Sequence, residues 1–144
     1  MNSPSGPPDL PTFFIDHSLG RIAVAEALRF HGHEVRVLSD LFPENCEDSV
    51  WLREVAGEGW IVLTKDKGIK NRSIYIQGIM NAGAAAFVLT AGNLTGRHMA
   101  EVFVGALPAI VRFVEAFSPP FIVTVSRAAE LACLYPKRPR RRRR

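Results

Sequence analysis

The chain has 144 residues, long enough for one domain with a buried core, and 47% of them are hydrophobic, as in a globular protein. No apolar stretch reaches the ~18 residues that are needed to cross a bilayer. The two cysteines, Cys46 and Cys133, lie far apart and outside any CxxC or Cys/His cluster, which argues against a zinc site. Free thiols of this kind are typical of a reducing compartment, so we expect a cytoplasmic protein without a membrane anchor.

The net charge of +4 comes from the C-terminal segment. Seven of the 18 basic residues lie within 137–144, and without them 11 basic residues face 14 acidic ones, a net charge of −3. A run of like charges does not pack, so we predict a disordered arginine-rich tail over 137–144. The tail either binds nucleic acid phosphates without sequence preference or is a solvated terminus without a role. Residues 1–11 are rich in Pro, Ser and Gly, lack the pattern of a secretory signal, and are expected to form a flexible leader.

Between these termini, strand-like and helix-like patterns alternate. Strands are predicted over 12–16, 34–38, 60–64, 85–90 and 121–125, with a short antiparallel edge strand over 131–135. Between the first strands lie a helix that ends at Gly32, a short helix capped by Asp48 and a helix over 72–81. A long helix capped by Thr95 or Asn93 follows the strand over 85–90, and Pro108 is expected to kink it or split it. This alternation predicts an α/β domain over 12–136, a three-layer sandwich with a mainly parallel central sheet of about five strands.

Two of the apolar runs end in an aspartate. Asp16 follows Phe13-Phe14-Ile15, and Asp66 follows the run that begins at Trp60. Because the carboxyl ends of parallel strands meet at one edge of a sheet, we expect both carboxylates there, with Asp48 pointing into the same crevice. Three acids repel one another unless a cation holds them, and oxygen ligands suit Mg²⁺ or Mn²⁺. The sequence therefore favours a metal-dependent enzyme that acts on phosphate.

Each acid also has a purely structural explanation. Asp16 can be a turn residue, Asp48 a helix cap, and Asp66 part of a tight turn with Gly68, so the hypothesis depends on their joint placement. Four basic residues surround Asp66 in sequence, namely Lys65, Lys67, Lys70 and Arg72. They would hold RNA phosphates beside the metal, or they form a solvated turn whose charges offset the acids.

Three segments resemble a known family. Phe14-Ile15-Asp16-His17-Ser18-Leu19-Gly20, Asp48-Ser49-Val50-Trp51-Leu52 and the run from Gly59 through Thr64-Lys65-Asp66 to Lys70 are similar to the PIN-like domain of VapC-type toxins. The compact branch in which a TxD segment ends the third strand is the closer likeness, and it covers about Phe13 to Tyr135. The resemblance implies a Mg²⁺/Mn²⁺-dependent ribonuclease, often neutralised by a cognate antitoxin. It also implies that Asp16, Asp48 and Asp66 are the metal-binding, catalytic acids.

The chain departs from the family pattern at one position. PIN nucleases commonly have a fourth acidic or polar residue after the next strand, where this chain has Asn93. Glu101 is a more distant substitute, and Glu47 is an alternative to Asp48, although the spacing to Trp51 favours Asp48. Whether a second metal ion binds stays open.

Three functions are compatible with these patterns. The first is a metal-dependent endoribonuclease, the toxin of a toxin–antitoxin pair, in which Asp16→Asn or Asp66→Asn abolishes activity, keeps the fold and raises stability by relieving carboxylate repulsion. The second is a catalytically weak PIN-like module that binds RNA or a protein. The third, a receiver-like domain, ranks last because Asp16 has no second acid beside it. If part of the long helix's apolar face is exposed, it would serve a homodimer or an antitoxin.

Overall fold

The computed structural model describes residues 10–66 and 69–143, with no side chains described for residues 69–71. The strands are β1 (Phe13–Ile15), β2 (Val35–Val37), β3 (Ile61–Lys65), β4 (Ala85–Leu89), β5 (Phe121–Val125) and β6 (Leu131–Tyr135). The helices are α1 (Ala23–Phe30), α2 (Leu38–Leu41), α3 (Asp48–Glu58), α4 (Ile69–Ala82) and α5 (Gly96–Ala116). Among the described residues, no helix combines the length and the apolar character that a membrane crossing needs.

All six strands form one sheet in the order β2-β1-β3-β4-β5-β6. The first five strands are parallel, and β6 pairs with β5 in the antiparallel direction. The predicted mainly parallel α/β sheet and its antiparallel edge strand are therefore confirmed. The order reverses between β1 and β3, and the crevice outside such a reversal is where open α/β sheets bind their ligands.

Alternate residues of each strand enter two different cores. Phe13 and Ile15 point into a core formed with α1 and α5. Phe14 and Val62 point to the other face, which α3 and α4 cover, and there Phe14 stacks on Trp51 with 5.2 Å between the ring centroids. This alternation follows from the two-residue period of a strand, and it produces the three predicted layers.

The structure changes two predicted helix features. Of the two alternatives predicted at Pro108, a kink or a split, the split is wrong, because α5 is a single helix from Gly96 to Ala116 with Pro108 inside it. The buried face of this helix, which includes Phe103 and Ile110, supplies enough apolar contact to tolerate one missing backbone hydrogen bond. Asp48 is also not a cap, because it is the first helical residue of α3 and the preceding Glu47 caps without a side-chain hydrogen bond.

The C-terminal segment differs from the predicted disordered tail. Ser118 N–H donates to the carbonyl of Arg140 at 2.7 Å, and Arg142 N–H donates to the carbonyl of Ala116 at 2.9 Å. Arg142 Nε donates to the carbonyl of Val114 at 2.7 Å. The last four carbonyls of a helix have no partner within it, and here a basic strand satisfies two of those of α5. Residues 1–9 and Arg144 lie outside the described residues, so the leader stays a prediction.

Candidate active site at the carboxyl edge of the sheet

The strand register decides where the two strand-ending aspartates lie. Phe14 is paired with Val62 across β1 and β3. Two residues further along, Asp16 is therefore level with Thr64, and Asp66 is one more two-residue step beyond, a displacement of about 6–7 Å along the strand. All these positions have the same parity, so they face the layer of α3 and α4. The two acids share an edge and a face, but they are not side by side.

Asp16 is a buried carboxylate whose two oxygens accept from four donors among the described residues. Its Oδ1 accepts from the backbone N–H of Ser18 at 3.0 Å and from the hydroxyl of the same residue. Its Oδ2 accepts from Thr64 Oγ1 at 2.6 Å and from the hydroxyl of Tyr75 at 3.0 Å. An ionised carboxylate has about four lone-pair sites, and these donors replace the water that burial removes.

Ser18 connects this carboxylate to the neighbouring strand. Its hydroxyl oxygen accepts from the backbone N–H of Lys65 at 2.9 Å and lies 3.2 Å from Thr64 Oγ1. The bond from Ser18 N–H to Asp16 is the local turn that aspartate favours two residues before a donor, and it begins a short 3₁₀ turn at His17–Leu19. The orientation of Asp16 is thus fixed by both β1 and β3.

Tyr75 is the member of this cluster that comes from α4. Burial raises the pKa of its phenol well above the usual value of 10.0, and the negative charges of Asp16 and, more weakly, Asp48 raise that pKa further. The tyrosine therefore stays a neutral hydrogen-bond donor to Asp16.

Asp48 is exposed and its Oδ1 accepts from the indole Nε1 of Trp51 at 2.9 Å. The i to i+3 spacing puts both side chains on one face of the first turn of α3. Because Trp51 is fully buried against Phe14, the indole fixes the carboxylate at the rim of the crevice. The Asp-x-x-Trp spacing in the sequence therefore has a physical meaning, since the tryptophan positions the acid.

Asp66 forms an ion pair at the mouth of the site. Its two oxygens accept from Arg72 Nη2 at 2.7 Å and Nε at 3.4 Å, and its side chain is 23% exposed against 49% for Arg72. Lys65 is half-buried beside it. Of the other two predicted RNA-binding residues, Lys67 lies outside the described residues, and Lys70 belongs to α4 with its side chain outside them.

A cavity of about 530 Å³ begins at Asp66, Arg72 and Lys65 and continues between α4 and the sheet. Its walls are mainly aliphatic and aromatic side chains from α4 and from the last three strands, among them Ile76, Val88, Ile122, Leu134 and Tyr135. The carboxylates therefore lie at one end of a groove rather than on a flat surface, which the sequence did not indicate.

The donor chemistry of the edge suits a hard divalent cation, because every candidate ligand is a carboxylate oxygen. Its geometry is less complete. Among residues 10–66 and 69–143, no three acidic, histidine or cysteine side chains converge closely enough to enclose a metal ion. The residues fit such an ion in chemical type, with Asp66 and Asp48 as the accessible oxygens and Asp16 as a fixed buried charge, and binding would require Arg72 to release Asp66.

The predicted fourth position is an exposed loop residue. Asn93 has a φ of 58°, the left-handed conformation that asparagine adopts more readily than most residues, so the turn itself explains its presence. Glu101, the distant substitute, lies on α5, where it pairs with Arg97 at 3.8 Å. It lines a separate depression with His98 and Arg127, and not the groove at Asp66.

Sequence reasoning missed Ser18, Thr64 and Tyr75 as members of the site. Ser18 and Thr64 stand in the quoted motif segments, two residues from Asp16 and Asp66 respectively, and this spacing is a usable signal. Tyr75 carries no such signal, because its approach to Asp16 depends on how α4 crosses the sheet.

The fold and the site together define a class: a small open α/β domain with carboxylates at the carboxyl ends of the strands that flank its reversal point. The chain belongs to the PIN-like domain family, since the family model described as "PIN like domain" matches residues 11–91. It is also 30% identical over 121 residues to the protein named "Putative ribonuclease VapC45" of Mycobacterium tuberculosis strain H37Rv, covering 81% of this chain and 87% of that protein. No solved structure matches the chain.

Proposed function

We propose that this protein is a metal-dependent endoribonuclease and the toxin of a toxin–antitoxin pair. The observation that carries the proposal is the position of Asp16 and Asp66 on one face of adjacent parallel strands, at the reversal point of a PIN-like sheet. The similarity to a protein named a ribonuclease supports the same chemistry. The partners would be an RNA substrate and a cognate antitoxin in the cytoplasm, with a homodimer as a further association.

The residues divide the work by their environment. Asp48 and Asp66 would supply the accessible oxygens for Mg²⁺ or Mn²⁺, and Asp16, the third predicted metal-binding acid, would add its buried charge beside them. When bound, the ion supplies a Lewis acid that lowers the pKa of a water for in-line attack and offsets charge on the phosphate oxygens. The cluster of Ser18, Thr64 and Tyr75 holds the Asp16 carboxylate in one orientation.

Phosphate positioning falls to the cations at the mouth of the site. Arg72 presents a planar guanidinium, which binds phosphate oxygens in pairs, and it lies 2.7 Å from Asp66. Lys65 precedes Asp66 at the end of β3 and adds a point charge beside it. Exchange of Arg72 from Asp66 to a phosphate would remove this competitor of the cation for the carboxylate.

The second candidate is a PIN-like module that binds RNA or a protein with weak catalysis. Two observations favour it: Asn93 stands at the fourth position with a turn-forming role, and no three described acids converge. The two proposals differ in whether bound RNA is cut.

The test is incubation of the full chain with total cellular RNA in Mn²⁺, in Mg²⁺ and in EDTA, beside Asp66→Asn. We expect discrete fragments that require both the cation and Asp66. Glu58→Gln is the matched control, because Glu58 is exposed at the opposite end of α3 from Asp48. If RNA is bound but uncut in every condition, the nuclease proposal is wrong and the binding module is the better explanation.

A further inference from the structure

The groove that begins at Asp66 continues far beyond the carboxylates. Strand pairing defines its levels: Lys65 pairs with Leu89 and Leu89 with Val125, while Ile122 pairs with Tyr135. Asp66 lies at the top level and Tyr135 about four residues lower and three strands across. Strand spacings give a span on the order of 15–20 Å. This is longer than the reach of one mononucleotide-sized group at the acids.

The floor and walls of the groove are mostly apolar and incompletely covered. On this face α3 and α4 cover β1, β3, part of β4 and Ile122 of β5, whereas the outer strand β6 exposes 40% of Leu134 and 45% of Tyr135. Pockets of several hundred Å³ with apolar walls and a few polar groups are the usual form of small-molecule and base-binding sites.

Two hydroxyls supply the polar groups. Thr90 Oγ1 donates to the carbonyl of Val125 at 3.3 Å, and Thr124 Oγ1 donates to the carbonyl of Ala132 at 3.2 Å. With their protons directed to the backbone, both oxygens present lone pairs to the groove as acceptors. A flat ring with N–H groups on its edge fits such a wall better than a wholly aliphatic side chain does.

Charge determines the class of occupant. Lys65 and Arg72 stand at the mouth, so a chain that enters from the acids meets cations first and aromatic and aliphatic surface afterwards. A nucleic acid strand whose phosphates bind these cations can direct a neighbouring base into the apolar part of the groove, and exposed tyrosines bind unstacked bases of single strands by stacking.

We propose that this groove binds single-stranded RNA downstream of the cations, with an unstacked base seated between α4 and β6 against the ring of Tyr135. The inference rests on the proposed function for the identity of the chain that enters. It adds a recognition site several nucleotides away from the carboxylates, where sequence preference is set by apolar walls and two threonine oxygens.

The experiment measures binding in EDTA, where the proposed cleavage is off, so that its outcome is separate from that of the nuclease test. Short single-stranded RNAs with 2-aminopurine at each position in turn are titrated with the full chain. We expect strong fluorescence quenching at one position. An abasic residue at that position should weaken binding at least about 5-fold, the lower end of one base–aromatic stack.

Substitution of Tyr135 in the protein and removal of the base from the RNA together form a double-mutant cycle. Tyr135→Ala should weaken binding of the intact RNA by a similar factor and should lose no further affinity for the abasic RNA, whereas Tyr135→Phe keeps the ring and the affinity. Phe30→Ala is the matched control, because Phe30 is 87% exposed at the end of α1. If Tyr135→Ala does not fold, Thr124→Leu fills the groove from β5 without adding an aromatic ring and should give the same loss.

Additive losses in the cycle, or equal losses for Phe30→Ala and Tyr135→Ala, would overturn the proposal. So would unchanged RNA binding with Thr124→Leu, which would indicate that a protein partner occupies the groove. A chain that cuts RNA and fails this test remains a nuclease, and a chain that passes it without cutting is a single-strand binding module.

Discussion

Asp16 and Asp66 end neighbouring strands, and their surroundings are opposite. Asp16 is buried and receives hydrogen bonds from Ser18, Thr64 and Tyr75, while Asp66 is partly exposed and paired with Arg72. The described donors to the first carboxylate are hydroxyl and amide groups, whereas the second is paired with a half-exposed arginine that other anions can reach. Folding therefore fixes the position of Asp16, whereas a bound ligand can change the pairing of Asp66 with Arg72.

Alanine substitution of the two aspartates should give the largest difference in the free energy of unfolding. Asp16→Ala should lower the free energy of unfolding by about 3–5 kcal/mol, because buried donors lose a charged acceptor. Asp66→Ala should lower it by less than about 1 kcal/mol, as for other partly exposed ion pairs. Urea denaturation with unchanged m-values measures both.

The same measurement tests Asp16→Asn, for which the sequence argument expects a gain in stability. The structure reverses that expectation, since an amide nitrogen would face hydroxyl and backbone donors that need an acceptor. We expect a loss of about 1–3 kcal/mol. Equal stabilities of the Asp16 and Asp66 variants would show that the buried cluster does not exist in solution.

The pKa of Tyr75 makes the buried cluster visible as a pH dependence. Burial and Asp16 raise this pKa in the folded state, so its contribution to stability is complete below about pH 10 and is lost as the pH rises further. Above that pH the unfolded state releases the phenolic proton first, which lowers stability by up to about 1.4 kcal/mol per pH unit.

Tyr75→Phe is the comparison that isolates this effect. The variant should lose about 1 kcal/mol near pH 7 through the missing hydrogen bond to Asp16, and the difference from the parent should shrink between pH 10 and pH 11. Urea titrations at several pH values measure it. A difference that stays constant across that range would place the tyrosine hydroxyl outside the cluster.

Arg72→Gln tests the ion pair between Arg72 and Asp66. If Arg72 and a divalent cation compete for Asp66, removing the guanidinium should strengthen Mn²⁺ binding about two- to five-fold, the range of one exposed ion pair. Mn²⁺ titration followed by electron paramagnetic resonance measures this without any RNA. Arg97→Gln, which breaks the exposed pair with Glu101, should leave the affinity unchanged. Weaker Mn²⁺ binding by Arg72→Gln would mean that the arginine positions Asp66 for the ion.

The features of the fold and of the site that the sequence predicts are those that depend on residues close together in the chain. Strands that end in Asp16 and Asp66, their common edge and the antiparallel β6 follow from local patterns, and the structure agrees. The two-residue offset between the acids does not follow, because register depends on how β1 and β3 pack together. The approach of Tyr75 likewise depends on the path of α4.

The C-terminal segment shows the same limit. Composition alone predicts disorder for a run of arginines, and it contains no information about the unpaired carbonyls at the end of α5. Arg142 donates to two of these carbonyls, and the guanidinium of Arg141 lies 5.1 Å from the ring centre of Phe117. Tertiary contacts therefore decide the conformation of a segment that has no pattern of its own.

This segment gives the smallest predicted effect. It packs near the amino end of β5, at the opposite edge of the sheet from the acids, so deletion of residues 137–144 should leave the cleavage positions unchanged. Single-stranded RNA affinity should lose salt dependence by about 0.7 logarithmic units for each phosphate contact removed. With Arg141 and Arg142 held on α5, five of the seven cations remain available, which limits the change in slope to about 3.5.

The double variant Arg141→Gln/Arg142→Gln separates the two roles of the segment. It should lower the free energy of unfolding by about 1 kcal/mol through the lost hydrogen bond to Val114, while the salt dependence of RNA binding stays near that of the parent. A slope that falls by about 1.4 in this variant would mean that both arginines leave the helix to bind phosphate. In that case the ordered conformation belongs to the RNA-free protein, and RNA competes with the end of α5 for the same side chains.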